Sequence, residues 1–166
     1  MENTRTTSTR IVSLGAFVVV LAGCAGDRTT TFRDGETGLT LRYPRNWSVT
    51  AFSQTVSPHR LVAASDRVGP DEVEGDCGGR RALQSLPPRG AAVLLIDYGS
   101  ASGFTPHPRN FTLTELQRAT YECFGDTYMV RFSRDGHDLQ AHVAIGRSAN
   151  AGRRREALSI LDSLQG

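Results

Sequence analysis

The stretch Thr127-Tyr-Met-Val-Arg-Phe-Ser-Arg-Asp-Gly-His-Asp-Leu-Gln-Ala-His-Val-Ala-Ile145 decides the fold. At its centre Asp135-Gly136 suits the two-residue type I′ turn, whose positive φ angles match the twist of a hairpin. A loop of that length fixes the register, so that residues whose numbers sum to 271 face each other. Phe132 is then expected opposite Leu139, Val130 opposite Ala141 and Tyr128 opposite Val143, all on one apolar face. Arg131 with Gln140, and Met129 with His142, fall on the other face. Slipping the register by one residue would turn the apolar set outward, so turn and pattern agree on a hairpin.

Moving outward, Ala157, Ile160, Leu161 and Leu164 recur at helical spacing, with Leu158 widening the stripe. Ser148 or Asn150 can cap this helix, and Gly166 lies just past its end. Upstream, Ala91-Ala-Val-Leu-Leu-Ile-Asp-Tyr98 is apolar without alternation, as expected of a central strand covered on both faces. Leu39–Tyr43 alternates as a half-buried strand and Pro44 stops it. Val49 and Phe52 point to a second strand and Arg60–Ala64 to a third. Arg80–Leu86 reads as a short helix ended by Pro87-Pro88. Residues 69–79 and 99–108 read as loops. Phe111 to Cys123 is either a strand leading into a turn or a short helix around Leu113–Ala119. Strands first and an amphipathic helix last give an α+β domain: a mainly antiparallel β-sheet with helices packed on it, closing with that C-terminal helix.

The N-terminus gives the address. Arg5 and Arg10 precede an apolar run from Ile11 to Ala22, too short for a bilayer core that needs roughly 20 helical residues. The run suits a signal peptide. It ends in Leu21-Ala22-Gly23-Cys24, which resembles the lipobox of bacterial lipoproteins. That resemblance implies cleavage after residue 23, diacylglycerol on Cys24 and a protein held by lipid at the outer face of the cytoplasmic membrane, where two acyl chains give stable anchoring. The expected organisation is a signal peptide over 1–23, a flexible tether over 24–37 and a single domain over 38–166. With about 13 flexible residues the tether would place the domain on the order of 20 Å from the lipid.

Composition narrows the partners. All 19 basic residues are arginine, and the formal net charge is +2 over 166 residues. Removing residues 1–23 takes away Arg5, Arg10 and Glu2, which leaves 17 Arg against 16 Asp plus Glu. A near-neutral domain has no long-range field to gather nucleic acid or anionic membrane as a principal ligand. Once Cys24 is acylated, Cys77 and Cys123 remain, an even pair in an oxidising compartment. They have no CxxC spacing and too few ligands for a metal site, so a structural disulfide is expected.

Candidate chemistry is sparse. His59, His107, His137 and His142 form no HxH or HExxH pattern and read as ordinary surface residues. Asp71, Glu72, Glu74 and Asp76 lack the ligand order and central glycine of a calcium loop. Gly99-Ser-Ala-Ser-Gly103 has Ala101 where a nucleophile elbow needs serine. Asp97, at the end of the buried strand, is the one carboxylate placed where sites often lie. Arg153-Arg-Arg155 opens the last helix and could meet lipid headgroups or anionic polymer, although a solvated face is the simpler account. Tyr43, Trp47, Tyr98 and Tyr128 are expected in the core or lining a groove. Asn46 and Asn110 open glycosylation sequons, which a bacterial lipoprotein does not use. No cofactor, metal or catalytic set is expected.

Gly38-Leu-Thr-Leu-Arg-Tyr-Pro-Arg-Asn-Trp47 resembles the opening of the family of the photosystem II protein PsbP and the Ran-binding protein Mog1, and Ile160-Leu-Asp-Ser-Leu164 is similar to its closing helix. The middle, with Tyr121-Glu-Cys-Phe-Gly125, looks more like actinobacterial lipoproteins. The first resemblance implies an antiparallel sheet sandwiched between helices, used for binding or assembly without catalysis. The expectation is therefore a membrane-anchored lipoprotein with a non-catalytic binding or assembly domain. Its partner would be an envelope protein or a small-molecule ligand. The alternative is an envelope enzyme without a linear motif, which requires a deep pocket holding Asp97 or a histidine.

Overall fold

The computed structural model describes residues 28–54, 57–67, 77–100 and 103–166. Its elements in chain order are β1 (Thr29–Arg33), β2 (Thr40–Pro44), β3 (Ser48–Gln54), β4 (Ser57–Ala64), α1 (Arg80–Gln84), β5 (Ala91–Asp97), β6 (Thr105–Pro106), β7 (Gln117–Tyr121), β8 (Gly125–Arg134), β9 (His137–Ile145) and α2 (Ala151–Asp162). The architecture is mainly antiparallel sheet with a C-terminal helix. Seven strands form one sheet in the order β3-β4-β5-β9-β8-β6, with β7 also on β8, while β1 and β2 form a separate two-stranded sheet. Only β6 runs parallel to its neighbour.

The β8–β9 hairpin has the expected register, Tyr128 opposite Val143, Val130 opposite Ala141 and Phe132 opposite Leu139. Asp135 (φ 49°) and Gly136 (φ 87°) both take positive φ, as the type I′ turn demands. β5 lies between β4 and β9 and every one of its residues is buried. Its uninterrupted apolar run follows from this, because each face looks into a different core. On one side Val93 and Leu95 join Leu139, Val143 and Phe132 in a cluster that also holds Leu39 and Leu41 from the β1–β2 hairpin and Ala157, Ile160 and Leu161 from α2. On the other, Leu94 and Ile96 join Val62, Ala82, Leu83 and Phe124. Asn150 caps α2 by accepting from the Arg153 amide.

One expectation changes, and for Phe111 to Cys123 the strand leading into a turn is the alternative that holds. Thr29–Arg33, assigned to the tether, is strand β1: Thr29 faces Pro44, Thr31 faces Arg42, and Phe32 packs against the first cluster. Asp34 closes the connection, its carboxylate accepting from the Thr37 amide at 2.8 Å and the Thr37 hydroxyl at 2.6 Å. Just ahead of β1, the Arg28 carbonyl accepts from the Arg45 amide at 3.0 Å. The segment around Leu113–Ala119 is not a helix: residues 113–115 are turns and Gln117–Tyr121 is strand β7.

Candidate functional site

Among the described residues lies an open groove of about 550 Å³, within the range of small-molecule sites. One wall is α1 and the chain after it, with Leu83, Gln84, Leu86 and Pro88; the other is the β7–β8 turn, with Phe124, Gly125 and Asp126. Ala144, Ile145, Gly146 and Arg147 complete it. The walls are joined covalently. Cys77, just before α1, is bonded to Cys123 in the β7–β8 turn, their Cα atoms 5.3 Å apart, and the Gln84 side-chain amide donates to the Cys123 carbonyl at 3.2 Å. A lining that mixes apolar side chains with polar groups, Asp126 and Arg147 among them, suits a ligand that has an apolar body and a polar end.

Gly146 fixes the shape of this end. Its amide donates to the Gly90 carbonyl at 2.9 Å, and a Cβ at this position would lie 2.5 Å from the carbonyl oxygens of both Pro87 and Pro88. Those are backbone atoms, so the loop itself must move. Gly146→Ala is expected to destabilise the domain by about 2 kcal/mol, as overpacking does. Urea unfolding checks this, and a variant as stable as the parent would mean that the 87–90 loop yields freely.

The four histidines are not ordinary surface residues. His142 is fully buried, its ring against Tyr121 at 4.8 Å and Phe124 at 4.6 Å between centroids. Arg131 Nε donates to Gln140 Oε1 at 2.8 Å, which turns the Gln140 NH2 towards His142 Nε2 at 2.7 Å. Nε2 therefore accepts, and Nδ1 carries the proton it donates to the Thr127 hydroxyl at 3.0 Å. Burial first, and the Arg131 cation second, push His142 down to about 4. The ring is a neutral structural link, and it does not line the groove.

His137 Nδ1 lies 2.8 Å from Asp97 Oδ2, and Asp97 Oδ1 accepts from the Gly99 amide at 2.8 Å. A carboxylate held this way orients the imidazole, as one does beside a catalytic or metal-bound histidine. The pair sits at the end of the sheet far from the groove, with neither residue lining it. His59 Nε2 is 3.0 Å from Asp34 Oδ2 and its Nδ1 is 3.3 Å from Glu36 Oε2. The two carboxylates flank opposite edges of the ring and do not converge on a point. Burial alone would raise Asp34, but the Thr37 hydroxyl and amide and then His59 outweigh it and hold that carboxyl below the ordinary range. His107 packs edge-on to Phe111 and Phe132, its Nε2 2.9 Å from the Leu161 carbonyl. Among the described residues no three His, Cys, Asp or Glu side chains gather as metal ligands.

Other sequence candidates distribute as follows. Arg153 stacks over Trp47 at 5.6 Å and bonds Glu156 at 2.7 Å, so it is engaged within the domain, whereas Arg154 and Arg155 are exposed. Trp47 is buried, Tyr43 and Tyr128 are half-buried, and Tyr98 is exposed beside Phe104, in neither core nor groove. Asn46 and Asn110 are exposed. Cys24, the acidic stretch Asp71, Glu72, Glu74 and Asp76, and residues 101–102 lie outside the described residues. Comparison of the chain with protein-family models, with curated proteins and with solved structures finds no match in any of the three.

Proposed function

We propose that this chain is a lipid-anchored envelope protein whose α+β domain, a sheet with helices packed on its faces, binds a small amphiphilic ligand without transforming it. The observation that carries the reading is the groove of about 550 Å³ between α1 and the β7–β8 turn. Its walls are cross-linked by Cys77–Cys123, which preorganises the site and lowers the entropic cost of binding. The anchor is diacylglycerol on Cys24, the location the outer face of the cytoplasmic membrane. An envelope protein in place of a small ligand is the same reading with a larger partner. The enzyme reading is favoured by a single observation, the Asp97–His137 pair, which does not line the groove; among the described residues no third His, Cys, Asp or Glu joins it as a metal ligand.

Native mass spectrometry of the protein released gently from its own membranes tests both parts. The covalent mass is expected to be that of residues 24–166 plus diacylglycerol, less two hydrogens for the disulfide. A non-covalent adduct is expected in addition, and Leu86→Glu, which puts a charge on the apolar wall, is expected to abolish it. A lipid-free mass of the whole chain sinks the anchor. A bare wild-type domain, or an adduct indifferent to Leu86→Glu, sinks the groove as the binding site.

A further inference from the structure

We propose that the end of the domain at which the chain enters is a docking face for anionic phospholipid headgroups. The proposal rests on the lipid-anchor reading of Cys24. Thr29 pairs with Pro44, so the chain arrives where the turn between β2 and β3 lies. Ala64 at the end of β4 pairs with Ala92 at the start of β5, and Ala91 pairs with Ile145 at the end of β9. The Ser65 amide donates to the Ala91 carbonyl at 2.9 Å, and the Ser148 amide to the Pro88 carbonyl at 2.7 Å, which stitch the loops of this end into one surface. Arg153 over Trp47 brings the first turn of α2 to the same place.

This end carries the exposed arginines Arg28, Arg45, Arg67, Arg89, Arg147 and Arg154. Against them the described residues set Asp66, Glu122 and Asp126, with Glu156 held by Arg153. The opposite end holds the Asp34–Glu36–His59 group, the Asp97–His137 pair, Asp135 and Asp138, with Arg33, Arg60 and Arg134 beside them and Arg134 paired to Asp135. Among the described residues the excess of positive charge therefore lies at the end where the chain enters.

The tether decides what the basic end meets. With β1 beginning at Thr29, only Ala25, Gly26 and Asp27 separate Cys24 from Arg28. Fully extended, that span reaches at most about 14 Å. Acyl chains in the bilayer therefore hold this end within about two Debye lengths of the headgroups, the Debye length being about 8 Å at physiological salt. At such range each arginine is expected to shift the docked population about fivefold on an anionic surface. Guanidinium forks also match phosphate oxygens geometrically.

The test uses the full lipidated protein, purified from its membranes and reconstituted into vesicles of phosphatidylcholine alone or mixed with phosphatidylglycerol. Hydrogen exchange is read at the amides of Asp66, Arg67, Arg89 and Arg147, and for comparison at those of Thr37 and Gly136. Slower exchange is expected at the first four with phosphatidylglycerol only. High salt is expected to reverse it, as is the triple variant Arg67→Gln, Arg89→Gln, Arg154→Gln, which should cut docking about a hundredfold while floating equally well with the vesicles. Equal exchange on both vesicles overturns the docking face and leaves the anchor standing. Failure to float with either vesicle overturns the anchor, and this proposal with it. Protection produced equally by inorganic phosphate on neutral vesicles assigns the arginines to a free anion and overturns membrane docking.

Discussion

Replacing Cys77 and Cys123 together by serine is expected to lower the stability of the domain by about 4 kcal/mol, and Tm by about 10–15 °C. The bridge spans a sequence separation of 46, and closing a loop of that length removes conformations from the unfolded chain that the native state never uses. The native state loses as well. α1 has only five residues, too few to persist by its own hydrogen bonds. Without the bridge, α1 is tied to the β7–β8 turn by the Gln84–Cys123 hydrogen bond and by the burial of Ala82 and Leu83. Urea unfolding at neutral pH, with and without a reductant that reaches the bridge, measures the cost. A double variant within about 1 kcal/mol of the parent would show that this loop is ordered before the bridge forms.

Acid is expected to cost the domain on the order of 3 kcal/mol between about pH 6.5 and 4, through His142 alone. The sign follows from where the proton binds. In the folded protein the ring, held down to about 4 by burial and by Arg131, stays neutral over this window, whereas in the unfolded chain it titrates near its ordinary 6.5. The unfolded state therefore takes up one more proton as pH falls. The stability present above 6.5 drains away until about 4, where the folded ring begins to titrate too. Protonation in place is opposed chemically as well, because the new proton on Nε2 would point at the Gln140 NH2 that now donates to it. Unfolding free energies measured from pH 7 to 4 should fall with a slope approaching one proton, and His142→Gln should flatten that slope whatever its effect at pH 7. An unchanged slope in the variant would place the acid sensitivity elsewhere. Asp34 is the other candidate, since its lowered carboxyl adds a loss that begins as the pH enters the ordinary carboxylate range, where the unfolded chain protonates first.

What the sequence disclosed depended on whether the signal was local. The hairpin was legible to the residue, because a two-residue turn and a period-2 pattern admit one register. The double burial of β5 was legible from six apolar residues in a row before Asp97. β1 was passed over because Thr29-Thr-Thr-Phe-Arg33 shows no alternation; three β-branched threonines ahead of Phe32, seven residues before Leu39, were the available clue. The histidines were misjudged for a different reason. His142 looked like a polar residue on the solvent side of its strand, but a second core, built by α1 and the β7–β8 turn, covers that side. The groove has no linear trace either, since its walls lie about 40 residues apart in the chain and meet through Cys77–Cys123.

The direction of the long strands has a practical corollary for anyone attaching a reporter. The chain enters beside Pro44, yet it finishes at the other extremity, where Gln165 pairs with Thr40 and the Gly166 amide bonds Asp135 at the tip of the β8–β9 hairpin. β9 alone spans nine residues, about 30 Å at the rise of an extended strand. If Cys24 carries the proposed anchor, a fluorescent protein or affinity handle appended after Gly166 would ride roughly that much farther from the lipid than any cargo spliced into the loops around Arg67 or Arg89.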